Sequence, residues 1–235
     1  MTVLAMAAGD SWTTLVTDSV KGRRTKDGER YDVRTDKIAR VGSSYISVVG
    51  DEVVLHAAQV FALWQEPQEL SWNDTRTFDA ILKIANKMRQ LHAAKGAEPS
   101  GQGATFAVCS PGQALFWRAT PGHDGFERQD VGPVLVPELR AVAVYGGYEI
   151  WRNAPASSER AIDELINFMG TVDREAKTLQ KYKPLPYVIE GWSSVLLRGG
   201  AAPIRQRPFK TIDELLENEM EATAEIIAAS NKAHT

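Results

Sequence analysis

The order of signals along the chain predicts an α+β fold, with two stacked sheets as its core and helices on the outer faces. Three observations carry this expectation. Two pairs of strand-like runs fill the first fifty residues, two amphipathic helical patterns follow, and strands then return ahead of another helical tract. Helices grouped between blocks of strands, instead of alternating with them one for one, speak for layers and against a βαβ sheet.

The elements follow in order. Val3 to Ala8 is apolar, Gly9-Asp10 marks a turn, and Ser11 to Val16 resumes with β-branched residues, so the N-terminus reads as a tight hairpin. Ser19 to Tyr31 is polar, contains Gly22 and Asp27-Gly28, has no periodicity, and reads as a loop. Asp36 to Val41 and Tyr45 to Val49 form a second strand pair around Gly42-Ser43-Ser44. Glu52 to Gln65 sets Val53, Val54, Ala57, Val60, Phe61 and Trp64 at helical spacing, and Phe78 to Ala94 repeats the pattern from Ile81 to Leu91. Asn73-Asp74-Thr75 opens that second helix and Gly96 closes it.

Strands are expected again at Ala104 to Cys109 and Ala114 to Ala119, around Pro111-Gly112, and then at Phe126 to Val131 and Arg140 to Val144. A helix begins at Ser157 or Ser158 with the stripe Ile162, Leu165, Ile166 and Met169; Gly170-Thr171 interrupts it before a second piece, Val172 to Gln180. Pro184-Leu185-Pro186 stops the helix and Tyr187 to Leu197 reads as a strand. Ala201 to Phe209 is a Pro- and Arg-rich connector, and Thr211 to Ala233 is an amphipathic helix. The expected division is a domain over 1–198 and an extension over 199–235. No internal repeat is evident.

Composition bounds the function. A chain of 235 residues, 43% hydrophobic and 24% charged, suits one sizeable soluble domain. A formal net charge of −3 gives no global basic field for nucleic acid, and Lys21 to Lys26 reads as a solvated loop. The single cysteine, Cys109, sits in an apolar run and reads as a buried core residue; one cysteine can form neither an internal disulfide nor a cysteine zinc site. No signal-peptide pattern and no apolar run of about 18 residues occurs, so a reducing, cytoplasmic setting without a membrane is expected.

Ordinary catalytic arrangements find no support. His56, His92, His123 and His234 accompany no nucleophile elbow, metalloprotease helix or cysteine cluster, and Gly146-Gly147 lacks the spacing of a phosphate loop. What remains is the N-terminus. If Met1 is removed, Thr2 carries a hydroxyl and an α-amine on adjacent carbons, and that amine titrates near 7.7–8.0, low enough to serve as base at neutral pH. With Met1 in place the same nitrogen is an amide and the chemistry cannot run. Asp18 arrives just after the second strand, Lys37 opens the third, and Gly50 ends the fourth immediately before a helix. A lysine beside the nucleophile lowers its proton affinity, a carboxylate holds the lysine, and a junction glycine can offer its N–H to an oxyanion.

From Thr2 to Ala57, with Val16-Thr17-Asp18-Ser19, Asp36-Lys37-Ile38 and Gly50, the chain resembles proteasome β-type subunits and their HslV-like and Anbu-like relatives. The resemblance implies an N-terminal-nucleophile (Ntn) hydrolase: a four-layer αββα sandwich of the proteasome-subunit type to about residue 198, with an extra C-terminal helix. It implies Thr2 as nucleophile, Asp18 as orienting acid, Lys37 as charge partner and Gly50 as oxyanion donor. It also implies homo-oligomeric rings, a peptide or unfolded-protein substrate and no metal or organic cofactor, and leaves open an ATPase partner. Two features depart from the family: the segment between Asp18 and Lys37 is longer, and in Val144-Tyr145-Gly146-Gly147 a tyrosine stands where the family places a serine. The alternative is a non-catalytic, ring-forming structural or virion assembly protein on the same fold.

Overall fold

The computed structural model describes residues 3–24, 30–50, 52–64, 72, 75–94, 105–119, 126–132, 140–145, 148–182, 184–185, 189 and 191–208. Thr2 and the helix expected over Thr211 to Ala233 lie outside them.

The N-terminal hairpin is β1 (Leu4–Gly9) and β2 (Trp12–Asp18), followed by β3 (Val20–Arg24) and β4 (Arg30–Arg34). Next come β5 (Ala39–Val41), β6 (Ser44–Val49), α1 (Glu52–Trp64) and α2 (Arg76–Ala94). Strands β7 (Thr105–Ser110), β8 (Gln113–Ala119), β9 (Phe126–Gly132), β10 (Arg140–Tyr145) and β11 (Tyr148–Asn153) lead to α3 (Ala161–Leu179). The described chain ends in β12 (Trp192–Arg198) and β13 (Ile204–Gln206). The fold is α+β.

One sheet has the order β11-β10-β1-β2-β12-β13 and the other β5-β6-β7-β8-β9, with antiparallel neighbours in both. Strand β1 is buried on both faces, which explains its unbroken apolar run. Its Leu4, Met6 and Ala8 meet Tyr45, Ala107 and Phe116 of the second sheet, while Val3, Ala5 and Ala7 pack with Leu165 and Met169 of α3. A third apolar cluster joins α1 and α2 to the far side of the second sheet through Val54, Phe61, Phe78 and Ile81. Phe78 is its centre, with ring centroids 4.9 Å from Phe106, 5.2 Å from Trp72 and 5.4 Å from Trp117. Among the described residues no helix is long and apolar enough to cross a membrane.

Four local expectations change. The polar stretch after Asp18 contains a two-stranded ribbon, with Val20 opposite Arg34 and Lys21 opposite Val33, because ladder hydrogen bonds need no alternating apolar pattern. Tyr148–Asn153 is an edge strand that the sequence reading left unassigned; its half-buried residues alternate too weakly to stand out. Helix α3 passes through Gly170-Thr171 unbroken. Gly170 is exposed with open space around it, and Thr171 satisfies its hydroxyl on the Asn167 carbonyl at 2.9 Å. The Pro- and Arg-rich connector contributes β13, which pairs with β12 from Ser194 opposite Gln206 to Leu196 opposite Ile204.

Tyr145 lies on the face of β10 turned towards α3. Its hydroxyl donates to Asp173 Oδ1 at 2.7 Å and accepts from the Leu185 N–H at 3.3 Å, and Lys177 holds the other oxygen of Asp173. Burial, reinforced by the Asp173 carboxylate, pushes the phenol up to about 12. Tyr145→Phe strands the Leu185 N–H and loosens Asp173, so a loss of about 1–2 kcal/mol in chemical denaturation is expected.

Candidate active site

The site is built at the mouth of the first hairpin. Strands β1 and β2 are in register from Leu4 opposite Thr17, and this brings the residue after Thr2 against Asp18. Asp18 N–H donates to the Val3 carbonyl at 3.0 Å, and the Val3 N–H donates to Asp18 Oδ1 at 2.7 Å. Val3 is therefore tied to a single aspartate through both its backbone groups. The nitrogen that Asp18 receives belongs to the peptide bond leaving Thr2.

The second oxygen of the same carboxylate takes the lysine. Lys37 Nζ lies 2.8 Å from Asp18 Oδ2 and donates to the Val20 carbonyl at 2.5 Å. The two side chains are 5% and 0% exposed, so the ion pair is shielded from solvent. Lys37 was expected to open a strand over Asp36 to Val41; β5 begins only at Ala39, and Lys37 reaches the carboxylate from a short non-strand segment between β4 and β5. That segment is pinned by the Thr35 N–H on the Ser19 carbonyl at 2.8 Å, and by the Ile38 N–H on Asp36 Oδ1 at 3.1 Å. Burial pushes the Asp18 carboxyl up from its ordinary value; the Lys37 ammonium and the Val3 N–H oppose that rise. Two donors on two oxygens make it an anchor with both ends in use.

Gly50 follows β6 and precedes α1 with φ 113°, a backbone conformation open chiefly to glycine. The geometry thus joins Asp18, Lys37 and the start of β1 directly and sets Gly50 at the predicted strand-to-helix junction; Thr2 itself is outside the described residues. Cys109 is fully buried and donates to Thr13 Oγ1 at 3.2 Å; burial raises its thiol to about 12, which suits a core role.

Two features near the centre were missed in the sequence. Gly191, with φ 62°, passes so close to Ser19 that a Cβ on it would sit 2.4 Å from Ser19 Oγ. Arg205 reaches the residue beside Lys37, its Nη2 lying 2.5 and 2.6 Å from the Asp36 oxygens. Nothing in local spacing signals either contact, since they join segments roughly 170 residues apart.

A scan of the sequence against protein-family models finds no match, and a search of curated proteins finds none. Among solved structures the chain is similar to Thiobacillus denitrificans BPH, at 14% identity and a TM-score of 0.44, covering 85% of this chain and 100% of that one. It is likewise similar to the same protein in complex with epoxomicin, at 12% identity and a TM-score of 0.43 over the same shares. Anbu (ancestral beta-subunit) from Yersinia bercovieri matches at 10% identity and a TM-score of 0.41, covering 97% of each chain. Likeness of this degree assigns no residue a role.

Proposed function

We propose that the chain is a proteasome-like Ntn-hydrolase subunit that cleaves amide bonds by acyl transfer to Thr2. The observation that carries the reading is the buried Asp18 carboxylate, shared between the Val3 N–H and the Lys37 ammonium. A cation held near an N-terminal nucleophile lowers the proton affinity of its amine and hydroxyl, and Lys37 is fixed by a group that also grips Val3. The three apolar clusters support the four-layer αββα arrangement; its proposed domain is residues 1–198 and its proposed extension 199–235, whose β13 adds an edge strand to the first sheet.

In the proposed reaction Thr2 Oγ attacks the substrate carbonyl while the Thr2 amine takes the hydroxyl proton. Lys37 lowers the proton affinity of both groups, and the Gly50 N–H faces the developing oxyanion. The amide C–N bond breaks, the amine returns its proton to the leaving nitrogen, and an ester to Thr2 remains. Water, deprotonated by the same amine, attacks that ester, and as the C–O bond breaks the amine returns the proton to Thr2 Oγ, releasing the acid and restoring the free residue. The proposed substrates are peptides or unfolded protein, and the proposed assembly is a homo-oligomeric ring.

One observation favours the second reading, a non-catalytic assembly protein. The Tyr145 hydroxyl is committed to Asp173 and Leu185 on the α3 side, where the resemblance calls for a serine serving the Thr2 amine. Intact-mass spectrometry after incubation with a peptide epoxyketone separates the two. The hydrolase reading expects a chain without Met1 carrying one adduct on Thr2. Met1 retained throughout, with no adduct, leaves only the assembly protein.

A further inference from the structure

We propose that Arg205 is a positioning residue for Lys37, holding the Asp36-Lys37-Ile38 segment from the strand pair β12–β13. Its consequence for rate rests on the hydrolase reading; its consequence for where Lys37 sits does not.

The segment lies between β4 and β5, so no sheet ladder fixes it. Asp36 folds it locally by accepting the Ile38 N–H, and Arg205 then clamps the fold from outside. Nη2 binds both Asp36 oxygens, at 2.5 and 2.6 Å, and reaches the Ile38 carbonyl at 3.4 Å. Nη1 is held on the Ser194 carbonyl at 2.6 Å and the Gln206 carbonyl at 2.8 Å. One guanidinium therefore joins β12, β13 and the residues on either side of Lys37. The contact is largely shielded, with the Arg205 and Asp36 side chains 15% and 24% exposed. Arg207 adds a more distant and more exposed cation, its Nε 3.6 Å from Asp36 Oδ2.

A planar fork suits this task because it serves an anion and several carbonyls at once from a fixed plane; an ammonium group on a flexible stem cannot span them. Lys37 must place its nitrogen between Asp18 Oδ2 and the Val20 carbonyl, both within 2.8 Å. A shift of its backbone is carried directly to that nitrogen, and displacement by about 1 Å at a reacting group can cost up to ~10²-fold in rate. The strand β13 thus gives residues beyond 198 a direct hold on the candidate centre.

The test uses the full chain carrying 13C-labelled lysine, with the Lys37 Cε signal assigned by its loss in Lys37→Arg. In Arg205→Met that signal is expected to shift or broaden, and the epoxyketone adduct to form about tenfold more slowly. Arg205→Lys keeps the charge, loses the fork and is expected to recover only part of the rate; Asp36→Asn reads the same contact from its other side if the Arg205 variants fail to fold. An unmoved Lys37 signal in any folded variant overturns the proposal, whatever the rate. A moved signal with an unchanged adduct rate overturns the positioning role and leaves a structural clamp. Should the unaltered protein form no adduct, the hydrolase reading fails while the Lys37 signal still decides where Arg205 acts.

Discussion

Replacing Lys37 with methionine is expected to destabilise the protein by about 3–5 kcal/mol at neutral pH and to remove any activity that depends on Thr2. The reason is the partner left behind. Asp18 is fully buried, and among the described residues the donor its carboxylate keeps without the ammonium is the Val3 N–H. Burial already pushes this carboxyl above its ordinary value of 3.8, and Lys37 is the largest influence opposing the rise, so the variant's carboxyl climbs further. Between the ordinary and the raised values the unfolded chain is ionised while the folded chain keeps its proton. Stability then falls as pH rises, by up to about 1.4 kcal/mol per unit. The deficit of Lys37→Met should therefore be small near pH 4 and largest near pH 7, which urea unfolding at several pH values measures. Adding Asp18→Asn supplies a neutral acceptor for the Val3 N–H and should return most of the stability at pH 7, but none of the activity. A deficit independent of pH, or a double variant as unstable as the single one, would mean that the Asp18 charge is not what Lys37 neutralises.

The outcome for Lys37 bears on how much of the site the sequence could disclose. The hairpin at the N-terminus was legible because a turn pair, Gly9-Asp10, divides two runs of strand-forming residues, and its register carries Asp18 back to the first residues of the chain. Helix α1 was legible because its apolar residues recur with the helical period, and Val54, Ala57 and Phe61 of that stripe are buried together. Lys37 beside Asp18 was legible through resemblance and chemistry, since local pattern places no lysine across a sheet. The Arg205–Asp36 contact was hidden by a sequence separation of 169 residues and by a connector whose prolines and arginines disguise β13. Tyr145 was visible as a departure from the family, but its direction was not. Strand alternation turns Val144 into the inter-sheet core and Tyr145 towards α3, and only the register of β10 on β1 decides which is which. Pattern reveals elements where one face is apolar; long-range polar contacts follow from the fold.

Thr2→Ala is expected to abolish epoxyketone labelling and peptide hydrolysis, by roughly 10³-fold or more, while leaving the unfolding midpoint unmoved. The fold is expected not to register the change, because Asp18 anchors the start of the chain through the backbone of Val3. Thr2→Ser retains a hydroxyl and an amine and should retain measurable turnover. A third variant tests the base: a short, non-removable segment ahead of Thr2 keeps the hydroxyl but turns the amine into an amide, and it should be as inactive as Thr2→Ala. If the amine is the base, the rate of the unaltered enzyme rises with pH as that amine loses its proton. Full activity in the extended protein would show that the proton is taken elsewhere, and the pairing of hydroxyl and amine on one residue would lose its catalytic meaning even with Thr2 as nucleophile.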